Sequence, residues 1–201
     1  MPESNGIENK ITGQKIKEFF PNEKVFYKYF SEGKIVKLTP EEIPPEVMRE
    51  FENQTSRFVP LEQIKPENEG HSFYGRIDCS NEDVVYLVNQ LEQTAEDDIM
   101  TYMLDTRKGD NIGYAIMRNS SSYLKDLPYV DYTETEFDFE RQGLALRRLK
   151  IMNAISRAIY GKPLSSGIEV EPEAEKVWNK LVKEGLVKER KQNIHHYVFV
   201  K

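Results

Sequence analysis

The stretch Phe137–Leu146, FDFERQGLAL, sets a short glycine-bearing loop between an alternating strand and a long amphipathic helix. The first amides of a helix have no acceptor within it, and the aligned peptide dipoles leave partial positive charge at that end. Such a loop is an anion pocket, with phosphate as its natural guest.

Downstream, Leu144, Ala145, Leu149, Met152, Ile155 and Ile159 recur at intervals of three and four. That spacing predicts a helix over Gly143–Tyr160 with one apolar stripe, closed by Gly161. Leu164–Ile168 reads as a short strand. Pro172 then opens a second helix whose buried side carries Ala174, Val177, Trp178 and Leu181; Gly185 closes it, and HHYVFVK supplies a terminal strand.

Upstream, Tyr129–Phe137 sets Thr133, Thr135 and Phe137 against Glu134 and Glu136, a strand with one polar face. It follows a loop of Asn119 to Ser122 and Pro128. MTYMLDTR and IGYAIMRN flank Lys108-Gly109-Asp110-Asn111, a hairpin turn. Before them SFYGRID reads as a strand, and Ser80 caps a predicted helix over Asn81–Gln93 with Val84, Leu87, Val88 and Leu91 on its buried face.

KVFYKYFSEGKIVKL reads as two short strands around a Ser31–Gly33 turn. Thr39–Glu42 is a capping box for a helix through about Phe51, limited by Pro44 and Pro45. The segment from Pro60 to Gly70 is polar and loop-like, which divides residues 1–70, an N-terminal extension of hairpin plus helix, from a principal domain at 71–201.

The length of 201 residues suits one domain with an appended piece. No apolar run approaches the roughly 18 residues that span a bilayer, and MPESNGIENK lacks the apolar stretch of a secretion signal, so a soluble, cytoplasmic protein with no membrane partner is expected. Cys79 is the single cysteine, and the histidines are split between His71 and His195–His196, so neither an internal disulfide nor a metal site is expected. Charge is uneven. Residues 141–201 hold 13 Lys and Arg against 6 Asp and Glu, while the other 140 residues hold 15 against 28. The basic part contains the anion loop.

In loop and order of elements, residues 72–201 resemble the GCN5-related N-acetyltransferase (GNAT) superfamily. The family's Arg/Gln-x-x-Gly-x-Gly/Ala loop is matched by Glu140-Arg141-Gln142-Gly143-Leu144-Ala145, with Glu140 in place of the usual Arg or Gln and Arg141 where many relatives have glycine. Ala174, Trp178, Leu181, Gly185 and Leu186 match a family-like ending. The resemblance implies a mixed α/β fold, a mostly antiparallel sheet flanked by helices, with the order strand, helix, three antiparallel strands, loop, helix, strand, helix, strand. It also implies acetyl-CoA as cofactor, held by Phe137, Arg141, Gln142, Gly143, Leu144, Ala145, Leu146 and Arg147, with Arg148 also within reach of its phosphates.

Transfer from a thioester to an amine needs proximity, a base for the amine proton and donors for the oxyanion. The resemblance puts the base on the strand before the loop, where Glu134 is the first choice, Glu136 the second and Asp131 the third. The family's tyrosine acid falls at Leu181, which leaves Tyr160, Tyr197 or solvent to protonate the thiolate. Ser165 and Ser166 are candidate pantetheine or acceptor contacts; Trp178 is read as core. The implied partner is an amine acceptor, small molecule or protein, with the oligomeric state, a dimer included, left open. Two rivals stand beside an active transferase: a catalytically silent CoA-binding or interaction module, and a winged-helix DNA reader built on the basic tail, given less weight because a strand interrupts its helices.

Overall fold

The computed structural model describes residues 22–58, 73–79, 83–93, 98–119, 124, 127–191 and 195–200. The predicted boundary at Pro60–Gly70, the Ser80 cap and His71 lie outside these. The fold is of the expected mixed class: among the described residues, a mostly antiparallel sheet of nine strands flanked by helices. Its strands are β1 (Gly33–Leu38), β2 (Phe73–Cys79), β3 (Val84–Gln93), β4 (Asp98–Arg107), β5 (Asp110–Arg118), β6 (Tyr129–Thr135), β7 (Ser165–Ser166), β8 (Val187–Arg190) and β9 (His196–Phe199). The spatial order is β1-β2-β3-β4-β5-β6-β7-β9-β8. The described α-helices are α1 (Glu23–Tyr29), α2 (Pro45–Phe58), α3 (Leu144–Tyr160) and α4 (Pro172–Lys183).

Two expected elements change type. KVFYKYF is helical: the Asn22 side chain accepts hydrogen bonds from the amides of Lys24 (3.1 Å) and Val25 (3.4 Å), and Phe26 and Phe30, four residues apart, enter the core together. The predicted helix at Asn81–Gln93 is strand β3. Val84, Tyr86, Leu87 and Val88 are all buried, because a central strand is covered on both faces and its continuous apolar run imitates a helical stripe. With residues 84–93 in a strand, the expected order of strand, helix and three strands gives way, among the described residues, to β2 to β6 paired antiparallel in turn.

Other expectations need smaller corrections. One half of the capping box at Thr39 forms, the Thr39 amide donating to Glu42 Oε2 at 2.8 Å, while the Glu42 amide donates to the Thr39 carbonyl oxygen in a single 3-10 turn at Pro40–Glu42. Pro45 then starts α2, which runs past Phe51 to Phe58. The hairpin turn is Lys108-Gly109, both left-handed at φ 53° and 92°. The N-terminal extension joins the sheet, since β1 pairs with β2 along its whole length.

The two faces of the sheet are covered by different helices. Helices α1, α3 and α4 share one core with Ile77, Tyr86, Met103, Ala115 and Met117. On the other face Val47 and Phe51 of α2 pack with Tyr102, Leu104, Tyr114 and Ile116. Across the α3 face runs a cross-strand row: Ile77, Tyr86, Asp105, Gly113, Thr135. Gly113 leaves a gap in that row, and the guanidinium of Arg148 fills it.

A Cβ at Gly113 would sit 2.2 Å from Arg148 Nη2 and 2.7 Å from the Glu134 carbonyl oxygen. Gly113→Ala is expected to destabilise the fold by about 1–3 kcal/mol through overpacking. Urea denaturation reads this as a lowered midpoint; an unchanged midpoint would place the guanidinium elsewhere.

Candidate functional site

The site stands on a buried ion pair. Arg148, in the first turns of α3, and Asp105, on β4, are both fully buried, with Nε and Nη2 of the arginine donating to Asp105 Oδ2 at 2.8 and 2.6 Å. Nη1 donates to the carbonyl oxygens of Tyr114 (3.0 Å) and Glu134 (2.7 Å) and to Thr133 Oγ1 (2.8 Å); Nη2 reaches Thr135 Oγ1 at 3.3 Å. Burial pushes the Asp105 carboxyl up from its ordinary value, and the guanidinium beside it opposes that shift. Arg148 was expected to face the cofactor's phosphates. It instead bolts α3 to β4, β5 and β6, and its guanidinium is spent inside the protein.

Above this bolt the strand β6 leads through a 3-10 turn, Phe137–Phe139, into the glycine loop. Arg141 and Gly143 are left-handed, at φ 62° and 81°. Left-handed residues beside a helix start are one way a chain gathers successive amides into an anion-binding nest. Gly143 is the N-cap of α3, with no side-chain cap and no acidic residue in the first turn, while its carbonyl accepts from the Arg147 amide at 3.1 Å. A Cβ on Gly143 would meet nothing within 4 Å, so the N-cap position itself is uncrowded. Helix amides without a side-chain cap are the kind that an anion such as pyrophosphate can satisfy.

The loop is strapped from the hairpin side. Arg107 donates to Gln142 Oε1 at 3.0 Å, lies over the Phe139 ring at 5.6 Å and pairs with Asp83 at 3.0 Å. Gln142 in turn donates to the Asp138 carbonyl oxygen at 3.4 Å. Phe137 points away, 83% exposed. Arg147 is held by Glu32 and lies against the Phe30 ring, so its charge already has an internal partner.

The strand β6 itself is irregular in its first half. Ile116 pairs with Tyr132 and Met117 with Val130, which makes Asp131 the extra residue of a bulge on β6. Asp131 forms an ion pair with Arg118 at 2.8 Å. The parallel pairing of β6 with β7 covers only Tyr129–Ser165 and Val130–Ser166, so the ladder between them ends where the bulge begins.

Glu134 lies on that stretch of β6, exposed, and its Oε2 accepts from the hydroxyls of Tyr114 (3.1 Å) and Tyr132 (3.2 Å). Tyr102, Tyr114 and Tyr132 stack in sequence, each adjacent pair of rings 5.6 Å apart. Burial, then the Glu134 hydrogen bond, pushes the Tyr114 hydroxyl well above its ordinary value, which keeps it a donor. Glu136 is exposed and lies closer to the loop.

The remaining candidates lie apart from this group. Tyr160 ends α3, about 24 Å along the axis from Leu144, and packs against the core of the opposite sheet face from Tyr114. Tyr197 is buried, stacked on Trp178, with its hydroxyl directed to Glu175 and Asn179 and its pKa pushed up to about 12, chiefly by burial. Leu181 is fully buried and Trp178 is core, as expected of the latter. Ser165 and Ser166 are also buried; their hydroxyls donate to the carbonyl oxygens of Ser166 and Gly167, each at 2.9 Å, and Ser166 Oγ accepts from the Tyr197 amide. Their side chains are thus spent within the sheet. Cys79 is buried at the end of β2, and burial raises its thiol. Among the described residues no group of three or more His, Cys, Asp and Glu side chains could hold a metal, and no described helix is long and apolar enough to cross a membrane.

Sequence reasoning missed Arg107, Tyr114 and Tyr132. The signal for the tyrosines was present in the alternation: residues 102, 114 and 132 fall on one face once the strand registers are known. Compared with known proteins, the chain matches no family model and no curated protein.

Arg141 carries a side chain in the left-handed region, at a cost of about 1–2 kcal/mol that glycine avoids. Arg141→Gly is expected to stabilise the protein by about 0.5–1 kcal/mol after the extra unfolded-state freedom of glycine is counted. Equilibrium unfolding measures it; a loss of stability would mean that the arginine side chain holds the loop.

Proposed function

We propose that this chain is a GNAT-like N-acetyltransferase that moves an acetyl group directly from acetyl-CoA to an amine. One observation carries the reading. A strand whose pairing with its parallel neighbour stops at a bulge leads through a 3-10 turn and a glycine loop to a helix start with no side-chain cap, and the same strand carries an exposed carboxylate. The amides of residues 143–146 would hold the pyrophosphate, with Arg141 and Gln142 shaping the loop around it. Beyond the last β6–β7 pair the pantetheine arm would run alongside β6 toward the bulge. Glu134 is placed to take the amine proton, and Glu136 and Asp131 are less suited, one lying nearer the loop and the other held by Arg118.

Direct transfer asks for orientation and proton removal rather than a covalent enzyme intermediate. A silent CoA-binding module is the second reading, and it is favoured by buried Leu181 in the position of the family's acid. The winged-helix reading loses support because β8 and β9 are paired into the nine-stranded sheet through β7. A protein or small-molecule amine, and a cytoplasmic setting, belong to the same proposal.

Glu134→Gln is expected to reduce amine-dependent release of free thiol from acetyl-CoA by about 10²–10⁴-fold while cofactor affinity stays within about twofold. Thiol release followed with a disulfide reagent, alongside calorimetric binding, separates the two. Equal turnover in the variant would remove Glu134 as base, and binding without turnover in the wild-type chain would select the silent reading.

A further inference from the structure

The transferase reading leaves one proton unassigned. The departing thiolate ends as a thiol, a step that a placed acid would hasten; Leu181 cannot be one, and Tyr160 and Tyr197 are turned to other neighbours. Tyr132 is differently placed. Its ring is 42% exposed, it follows the Asp131 bulge by one residue, and it lies two residues beyond the last β6–β7 pair. Its hydroxyl donates to Glu134 Oε2 at 3.2 Å. The ring is held by stacking on Tyr114, 5.6 Å away at an interplanar angle of 21°, and Tyr114 also donates to Glu134 Oε2. A phenol and a carboxylate are thereby coupled at the open edge of the strand, both on the α2 side of the sheet.

We propose that Tyr132 is the catalytic acid, paired with Glu134 as base, in place of the tyrosine that the family carries on its last helix. The amine nitrogen bonds to the acetyl carbon as its proton passes to the Glu134 carboxylate. The carbon–sulfur bond breaks, and the sulfur takes the proton of the Tyr132 hydroxyl. The proton held by Glu134 then crosses the hydrogen bond to the Tyr132 oxygen, which restores both groups. The sum is one amine and one thioester converted to one amide and one free thiol, with no other reactant. Tyr114 is a positioning residue: buried, it fixes the ring and the carboxylate without reaching the thioester.

This inference rests on the transferase reading, and its test keeps the two apart. Acetyl-CoA binding to the wild-type chain is measured first by calorimetry, then thiol release with spermidine and with a lysine-containing peptide. Tyr132→Phe preserves the stacked ring and is expected to bind acetyl-CoA normally, to keep KM for it, and to lose about 10–100-fold in kcat. An acid matters little when the leaving thiol is itself acidic. The wild-type to variant ratio should therefore fall toward one with phenyl thioacetate as donor. A merely structural role for the hydroxyl would lower both donors alike. An unchanged kcat on acetyl-CoA, or an equal loss on both donors, overturns the assignment. Binding without thiol release for either amine also overturns it, because no acid is then in use; absence of acetyl-CoA binding sinks the transferase reading itself.

Discussion

A guanidinium without solvent exposure holds the centre of this protein together. Arg148 gives hydrogen bonds to five oxygens, on Asp105, Tyr114, Thr133, Glu134 and Thr135, and so joins the first turns of α3 to three strands at once. Burying both members of an ion pair carries a desolvation cost that close contact and added hydrogen bonds must offset. Here the offsets come from groups that are already fixed by the sheet. Gly113 provides the space, and the cross-strand row of Tyr86, Asp105, Gly113 and Thr135 provides the walls. The direction of the helix, the exit angle of β6 and the position of the loop between them all follow from this one seat.

That seat lies under the candidate site. Thr133 and Thr135 turn toward Arg148, so Tyr132 and Glu134 turn to the other face, where the tyrosine stack holds them. The bulge at Asp131 and the end of β7 pairing fall at the same level. The side of β6 that holds Arg148 and the side that carries the candidate site are thus alternate residues of a single strand. Arg107 adds a second restraint from the end of β4, through Gln142 and Phe139, so that a loop with a strained arginine still has a defined shape.

The last third of the fold was legible in the sequence because its signals are local. Gly143 and Gly161 bound α3 as left-handed residues, Pro172 opens α4, and the apolar spacing gives each helix its buried side. The middle was harder. Val84, Leu87, Val88 and Leu91 satisfy a helical spacing, yet a strand buried on both faces produces the same apolar run, and only its pairing with β2 and β4 decides. At the start, Asn22 before Glu23 was a cap signal, hidden by four aromatic residues that favour strands. The site was legible in outline, since loop, helix and strand carboxylates appear in order. Its connections were not: helical spacing sets Arg148 among Leu144, Ala145, Ile151 and Met152 on the apolar stripe, but its partners, Asp105 and the gap at Gly113, lie far away in sequence, as does the Glu32 that takes Arg147.

The central claim is that one strand, one loop and one helix start form a single cofactor site. Backbone amide NMR during a titration with acetyl-CoA tests it most directly. The expected result is saturable shifts confined to Arg141–Arg147, Asp131–Thr135 and Gly167. Absence of shifts at millimolar ligand, or shifts centred on the basic tail around Lys188–Lys191, would contradict it.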